Sequence, residues 1–159
     1  MPDMLVNLLR LPPRDDGAEE LRRAGYLIRR AQPWELTPVR QFVTSHFSRG
    51  WADEIASGFA RQPVSVYVAV RDGRLAGFAA YECTRRNFFG PTGVAEQERG
   101  RGVGRALLLA ALWSLHDMGY AYAIIGGVGP ADFYARAVGA TLIPESAPGV
   151  YADPLQEGL

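Results

Sequence analysis

Glu98-Arg99-Gly100-Arg101-Gly102-Val103-Gly104-Arg105 interleaves three glycines with three arginines, and the character of the chain changes immediately after it. From Ala106 to Leu115 almost every residue is apolar. This predicts a helix from Gly102 to Met118, buried on most sides, with Gly119 as its stop. The first amides of any helix lack intrahelical partners and carry the positive end of its dipole. Glycine lets backbone close around an anion without side-chain obstruction, and Arg99, Arg101 and Arg105 add charge. Such a segment is built to cradle a diphosphate. The bland alternative is an arginine- and glycine-rich surface loop that binds nothing.

Working outward, Asn87 to Val94 reads as a strand in which Gly90, Pro91 and Gly93 imply a bulge or a splay, and Tyr120 to Ile125 reads as the next strand. Strand, glycine loop, long helix and strand form a crossover, which requires one parallel pair. Gly126 to Gly129 is a turn, and Pro130 opens a helix to Val138 that Gly139 closes. Upstream, Tyr26 to Arg30 is a short strand. Thr37 is expected to cap a helix with Pro38 at its first position, presenting Val39, Phe42, Val43, His46 and Phe47 on one face. A second helix carries Trp51, Ile55 and Phe59. Val64 to Arg71 alternates as a strand does, Asp72-Gly73 signals a tight hairpin turn, and Leu75 to Cys83 returns. Ala140 to Ile143 and Gly149 to Tyr151 are expected as the last strands. Helices interspersed with a mixed sheet make an α/β (α+β) domain over residues 25–152. Residues 1–24 are expected as an extension holding a strand and a helix near Ala18 to Ala24, with Pro12 to Gly17 flexible, and residues 153–159 as a loose tail.

Composition narrows the function classes. Formal charge is zero, so no net field draws nucleic acid or an anionic membrane. All 17 basic residues are Arg. A lysine Schiff base and a P-loop are therefore excluded, and any phosphate site must use Arg or backbone amides. Cys83 is the only cysteine, so no intrachain disulfide or cysteine-built zinc site forms; no metal is expected. Met1 to Leu11 does not read as a signal peptide, and Ala106 to Leu115 is too short to span a bilayer. A cytoplasmic location is the expectation.

A dinucleotide fold would want its glycine loop after the first strand, an acidic residue downstream, and a third glycine where Leu107 stands. By contrast, Arg99-Gly100-Arg101-Gly102-Val103-Gly104 resembles the acetyl-CoA pyrophosphate loop of the GNAT acetyltransferases, and the order of elements from Tyr26 to Tyr151 is similar to that fold. The resemblance implies a mostly antiparallel mixed sheet with a splayed parallel pair, flanked by helices. It implies acetyl-CoA bound by Gly93, Val94, Arg99, Gly100, Arg101, Gly102, Val103, Gly104 and Arg105, with the pantetheine arm in the splay. Phe133-Tyr134 followed by Gly139 matches a second family landmark, which makes Tyr134 a cofactor contact and the general acid for the departing thiolate. The family's Asn seven residues earlier is Gly127 here. Family members often pair through sheet edges, so a homodimer through Met4 to Leu11 as an edge strand is expected.

An attacking amine must lose a proton. Glu82, among apolar neighbours, is the candidate base, with Asp132 beside Tyr134 as a second. Glu96 and Glu98 are expected to face solvent, His46 and His116 to be core histidines, and Cys83 a small buried strand residue. The aromatic residues Phe47, Trp51, Phe59, Tyr81, Phe88 and Phe89 fit a small or partly apolar amine acceptor. Two other readings stay open: a non-catalytic acyl-CoA sensor on the same fold, and a phosphate-binding interaction protein for another nucleotide.

Overall fold

Alternation along two neighbouring strands builds two cores. In the computed structural model, which describes residues 1–156, β3 (Val66–Arg71) and β4 (Arg74–Tyr81) form an antiparallel hairpin. Asp72 and Gly73 both take positive φ at its turn, as the tightest hairpin turn demands. Val66, Val68, Phe78 and Ala80 point to one face and Ala69, Ala79 and Tyr81 to the other. The first face is covered by α2 (Leu36–His46) and α3 (Arg49–Phe59), through Val39, Val43, Ala52, Ile55 and Phe59. The second is covered by α4 (Val103–Asp117), whose Leu107, Leu108, Leu109, Leu112 and Leu115 are all buried. Each such leucine contributes about 1.5–3 kcal/mol of burial.

The remaining strands are β1 (Met4–Asn7), β2 (Tyr26–Arg30), β5 (Phe88–Val94), β6 (Tyr122–Ile125) and β7 (Thr141–Leu142), with α1 (Ala18–Arg23) and α5 (Ala131–Val138) completing the elements. The seven-stranded sheet runs β2-β3-β4-β5-β6-β1-β7. Among the described residues only β5 and β6 pair in parallel; every other neighbouring pair is antiparallel. No described helix is long and apolar enough to cross a membrane.

Several expectations need correcting. Met4 to Leu11 is not an edge: β1 is threaded between β6 and β7, hydrogen-bonded on both sides, and Leu8 to Arg10 forms a 3-10 turn. Thr37 is not the cap. A 3-10 turn at Pro33–Glu35 precedes α2, with the Gln32 amide donating to the Glu35 carboxylate at 2.7 Å. Pro33 thus takes the role expected of Pro38, which sits inside the first turn of α2, where a missing N–H costs nothing. His46 is exposed, its ring 4.4 Å from that of Phe42. Gly149 to Tyr151 is a 3-10 turn, not a strand. Residues 153–156 have no helix or strand, and the last three positions of the expected tail lie outside the described residues.

Pro12 to Gly17 is held to α4 rather than loose. Trp113 Nε1 donates to the Pro12 carbonyl at 2.9 Å, Arg14 lies 4.3 Å over the Trp113 ring, and Arg105 reaches Asp16 at 2.7 Å. Arg14 also hydrogen-bonds Asp117, holding its carboxyl down at about 2. A carboxylate depressed in the fold contributes stability above its unfolded value of about 4, lost as pH falls toward 2. Arg14→Ala should return Asp117 toward the ordinary range in an NMR titration. Both groups are about half exposed, so unfolding stability should hardly change.

Candidate active site

β5 and β6 separate almost as soon as they meet. Their register holds only Phe88 opposite Ile124 and Phe89 opposite Ile125. β6 then ends, while β5 continues to Val94 alongside β4. The parting coincides with a bulge: Tyr81 faces Phe89 and Ala79 faces Thr92, so Gly90 and Pro91 together oppose Ala80. The expected bulge and the expected splay are therefore one feature. Past Phe89, the free edge of β5 borders a cleft of about 710 Å³. Gly90 to Val94 line it on one side and Ile125 to Pro130 on the other; Leu108, Phe133 and Tyr134 also line it, as do residues at the head of α4. Phe47 and Trp51, stacked at 5.5 Å, line it as well. Gly93 is obligatory there, because a Cβ would stand 2.2 Å from the Phe47 ring.

The head of α4 has the properties of an anion cradle. Gly100 and Gly102 take φ of 77° and 87°, and an added Cβ at either would meet nothing within 4 Å. Gly102 is the N-cap and gives no side-chain bond. Among the described residues, no carbonyl accepts from the amides of Gly100 to Arg105. A buried helix thus presents its unpaired amides, and the positive end of its dipole, to the cleft. The arginines contribute less than expected. Arg99 and Arg105 line the cleft, but Arg99 Nε donates to the Val94 carbonyl at 3.1 Å and Arg105 pairs with Asp16. Arg101 does not line it; it turns to the Tyr26 hydroxyl at 3.3 Å and to Glu98 at 3.8 Å.

Glu98 does not face solvent as expected. The Tyr26 hydroxyl donates to it and Arg71 pairs with it at 2.8 Å. The Tyr26 bond, with the Arg71 and Arg101 charges, holds its carboxyl below the usual range.

Tyr134 is buried and borders the cleft, its ring edge-on to Phe89 and Phe133. Burial pushes its phenol up to about 12, so it stays protonated near neutral pH. Its hydroxyl is a potential donor and not a base.

Glu82 is not part of this site. β4 ends at Tyr81, and at Glu82 the backbone turns to φ 60°. The buried carboxylate accepts from the Asn87 amide at 3.2 Å, its other oxygen is buried without a hydrogen-bond partner, and the residue does not line the cleft. Asp132 is exposed and also outside the lining. Phe47, Trp51 and Phe89 line the cleft, whereas Phe59, Tyr81 and Phe88 do not. His116 packs against Trp113, outside the lining. Burial raises the Cys83 thiol, which argues against a thiolate nucleophile. No group of three or more potential metal ligands occurs among the described residues.

Sequence reading missed two residues. The Asp3 carboxylate accepts from the Gly127 amide at 2.8 Å, while the Pro2 carbonyl accepts from Val128 at 2.8 Å. The chain's first residues thus brace the glycine turn where a side-chain amide is missing. Glu54, on α3, accepts from Thr84 and Tyr151.

The family model of the acetyltransferase (GNAT) domain matches residues 62–137, which hold β3 through most of α5. No curated protein matches the chain. Among solved structures, a GCN5-related glucosamine N-acetyltransferase region of a fungal multi-domain beta-N-acetylglucosaminidase superimposes with TM-score 0.73 at 19% identity, over 89% of this chain and 19% of that one. A GCN5-related N-acetyltransferase from Sphaerobacter thermophilus gives 0.62 at 20% identity, over 89% of this chain and 48% of that one. A GNAT family acetyltransferase from Brucella melitensis, in complex with acetyl-CoA, gives 0.58 at 19% identity, over 74% of this chain and 86% of that one. The chain spans less than half the length of the first two. The splayed β5–β6 pair, the amide cradle and the matched profile all fall in one stretch: residues 62–137, just under half of the chain, are similar to the GNAT acetyltransferase domain, and the chain has the fold of the acetyltransferases it superimposes on.

Proposed function

We propose that the protein is an acetyl-CoA-dependent N-acetyltransferase that acetylates a small amine by direct attack. One observation carries this reading: unpaired amides at the head of a buried helix open onto a cleft that follows the unpaired edge of β5. The cradle suits a diphosphate, and the β5 edge offers backbone groups to an extended pantetheine arm. Gly93, Val94, Arg99, Gly100, Gly102, Val103, Gly104 and Arg105 are the proposed binding residues, backbone amides doing most of the work. Arg101 acts from outside the lining by holding Glu98. The complex of the Brucella melitensis relative with acetyl-CoA supports the choice of cosubstrate.

Acetyl-CoA brings a thioester carbonyl. Free amides on the β5 edge polarise its oxygen, as hydrogen-bond donors aimed at developing charge do. The amine nitrogen attacks the carbonyl carbon and the C–S bond breaks. Tyr134 gives its phenolic proton to the departing thiolate, and the proton released by nitrogen returns through water to the phenol. A phenol that remains protonated suits that step.

Calorimetry with acetyl-CoA, followed by a free-thiol assay over an amine panel, tests the reading. Binding with thiol release upholds it. Binding without release above background identifies an acyl-CoA sensor, the alternative that Gly127 in place of the family's Asn favours. Absence of binding removes both.

A further inference from the structure

A second cavity, of about 370 Å³, adjoins the cleft and shares Met1, Trp51, Phe89, Gly90, Pro91, Gly126 and Gly127 with it. Thr84, Pro148 and Tyr151 belong to the second cavity alone, and no lining side chain carries a charge. Behind the Thr84 and Tyr151 wall stands Glu54, three residues past Trp51 on α3. Its Oε1 accepts from both hydroxyls, the Tyr151 bond being 2.9 Å. Burial and then the bond to Glu54 push the Tyr151 phenol up to about 12, so the donor keeps its proton. Glu54 Oε2 has no partner among the described residues and is not sealed from solvent. No Arg or His among them pairs with this carboxylate.

A half-buried carboxylate held by two hydroxyls, without a counter-charge, at the margin of an aromatic cavity is a receptor for a cation. Trp51 and Tyr151 line the cavity, and aromatic rings attract cations. That cation is not the reacting nitrogen. A nitrogen that attacks must be neutral, and an adjacent carboxylate stabilises its ammonium form. The wall in front of Glu54 is also the part of the cavity that the cleft does not share. Resting on the acetyl-transfer reading above, we propose that Glu54 anchors a second, non-reacting positive charge on the acceptor. The acceptor class is then a short molecule with a primary amine at one end and a cationic group at the other.

The test compares kcat/KM for 1,5-diaminopentane and pentylamine, with acetyl-CoA binding measured separately by calorimetry. Wild type should favour the diamine by about tenfold or more, which corresponds to about 1.4 kcal/mol. Glu54→Gln keeps an acceptor for Thr84 and Tyr151 but removes the charge. It should collapse the ratio to near one, chiefly through KM for the diamine. Glu54→Asp, which keeps the charge, should retain most of the preference; a merely structural Glu54 would not produce that split. Equal use of the two amines by wild type, a preference that survives Glu54→Gln, or acetyl-CoA binding with neither amine acetylated overturns the proposal. Failure to bind acetyl-CoA at all is a different result: it removes the acetyl-transfer reading first, and the acceptor proposal with it.

Discussion

Tyr134→Phe should lower kcat by about 100- to 1,000-fold while changing the Kd for acetyl-CoA by less than about threefold. The ring keeps its edge-on contacts with Phe89 and Phe133, so the walls of the cleft are preserved. The hydroxyl hydrogen-bonds no described residue, and its removal strands no buried partner. Stability should therefore stay level or rise slightly, which isolates the chemical effect. The pH profile adds a second check. With the phenol pushed up to about 12 by burial, its loss of a proton should not lower the wild-type rate anywhere below about pH 10. The same shift favours the folded state at neutral pH, and that contribution fades as pH rises from the ordinary phenol value of about 10 through 12. A Phe variant with undiminished turnover would mean that the thiolate takes its proton from somewhere else.

Gly102→Asp should weaken acetyl-CoA binding by about 100-fold or more while leaving a folded protein. The position has φ 87° with no atom within 4 Å of an added Cβ, so no clash arises, and Asp is among the residues that tolerate left-handed backbone best. Its carboxylate would sit beside the amides that the diphosphate needs. Two like charges about 5 Å apart at an effective dielectric of about 20 repel by about 3 kcal/mol. Gly102→Asn supplies the control, since it has nearly the same shape and backbone strain but no charge. The electrostatic account requires Asn to lose far less affinity than Asp. Equal losses would assign the effect to backbone strain, and full affinity in both would place the diphosphate elsewhere.

How far the sequence could be read depended on whether each decision was local. The helix at Gly102, the turn at Asp72-Gly73, the stop at Gly139 and the distorted strand around Gly90-Pro91 are all set by neighbours in the chain, and all stand where expected. The long-range decisions were not legible. β1 has four residues with nothing to mark them as an interior strand, and only its partners, more than a hundred residues on, make it one. Glu82 read as a strand carboxylate beside apolar neighbours, but the chain leaves β4 one residue earlier and carries it away from the cleft. Glu54 drew no attention in the sequence, because its significance lies in Thr84 and Tyr151, distant in sequence. Glu98 and Arg101 sit at helical spacing, yet the groups that draw Glu98 inward, Tyr26 and Arg71, come from two separate strands. Family resemblance pointed to the loop and Tyr134; it was silent on the residues that brace Gly127.

The brace at Asp3 joins backbone 124 positions apart, at Gly127. During synthesis, residues 3–7 must wait for residues 122–127 before their strand can be enclosed. Until then β3 and β4 can zip through local contacts, but the far half of the sheet, and with it the wall of the cleft formed by residues 125–130, stays open. Long-range pairing of this kind slows folding and leaves strand edges free to meet other chains. Cotranslational assays should therefore find the hairpin protected early and CoA binding acquired only once residues 125–130 have emerged, making ligand competence a late step of maturation rather than an accompaniment to collapse.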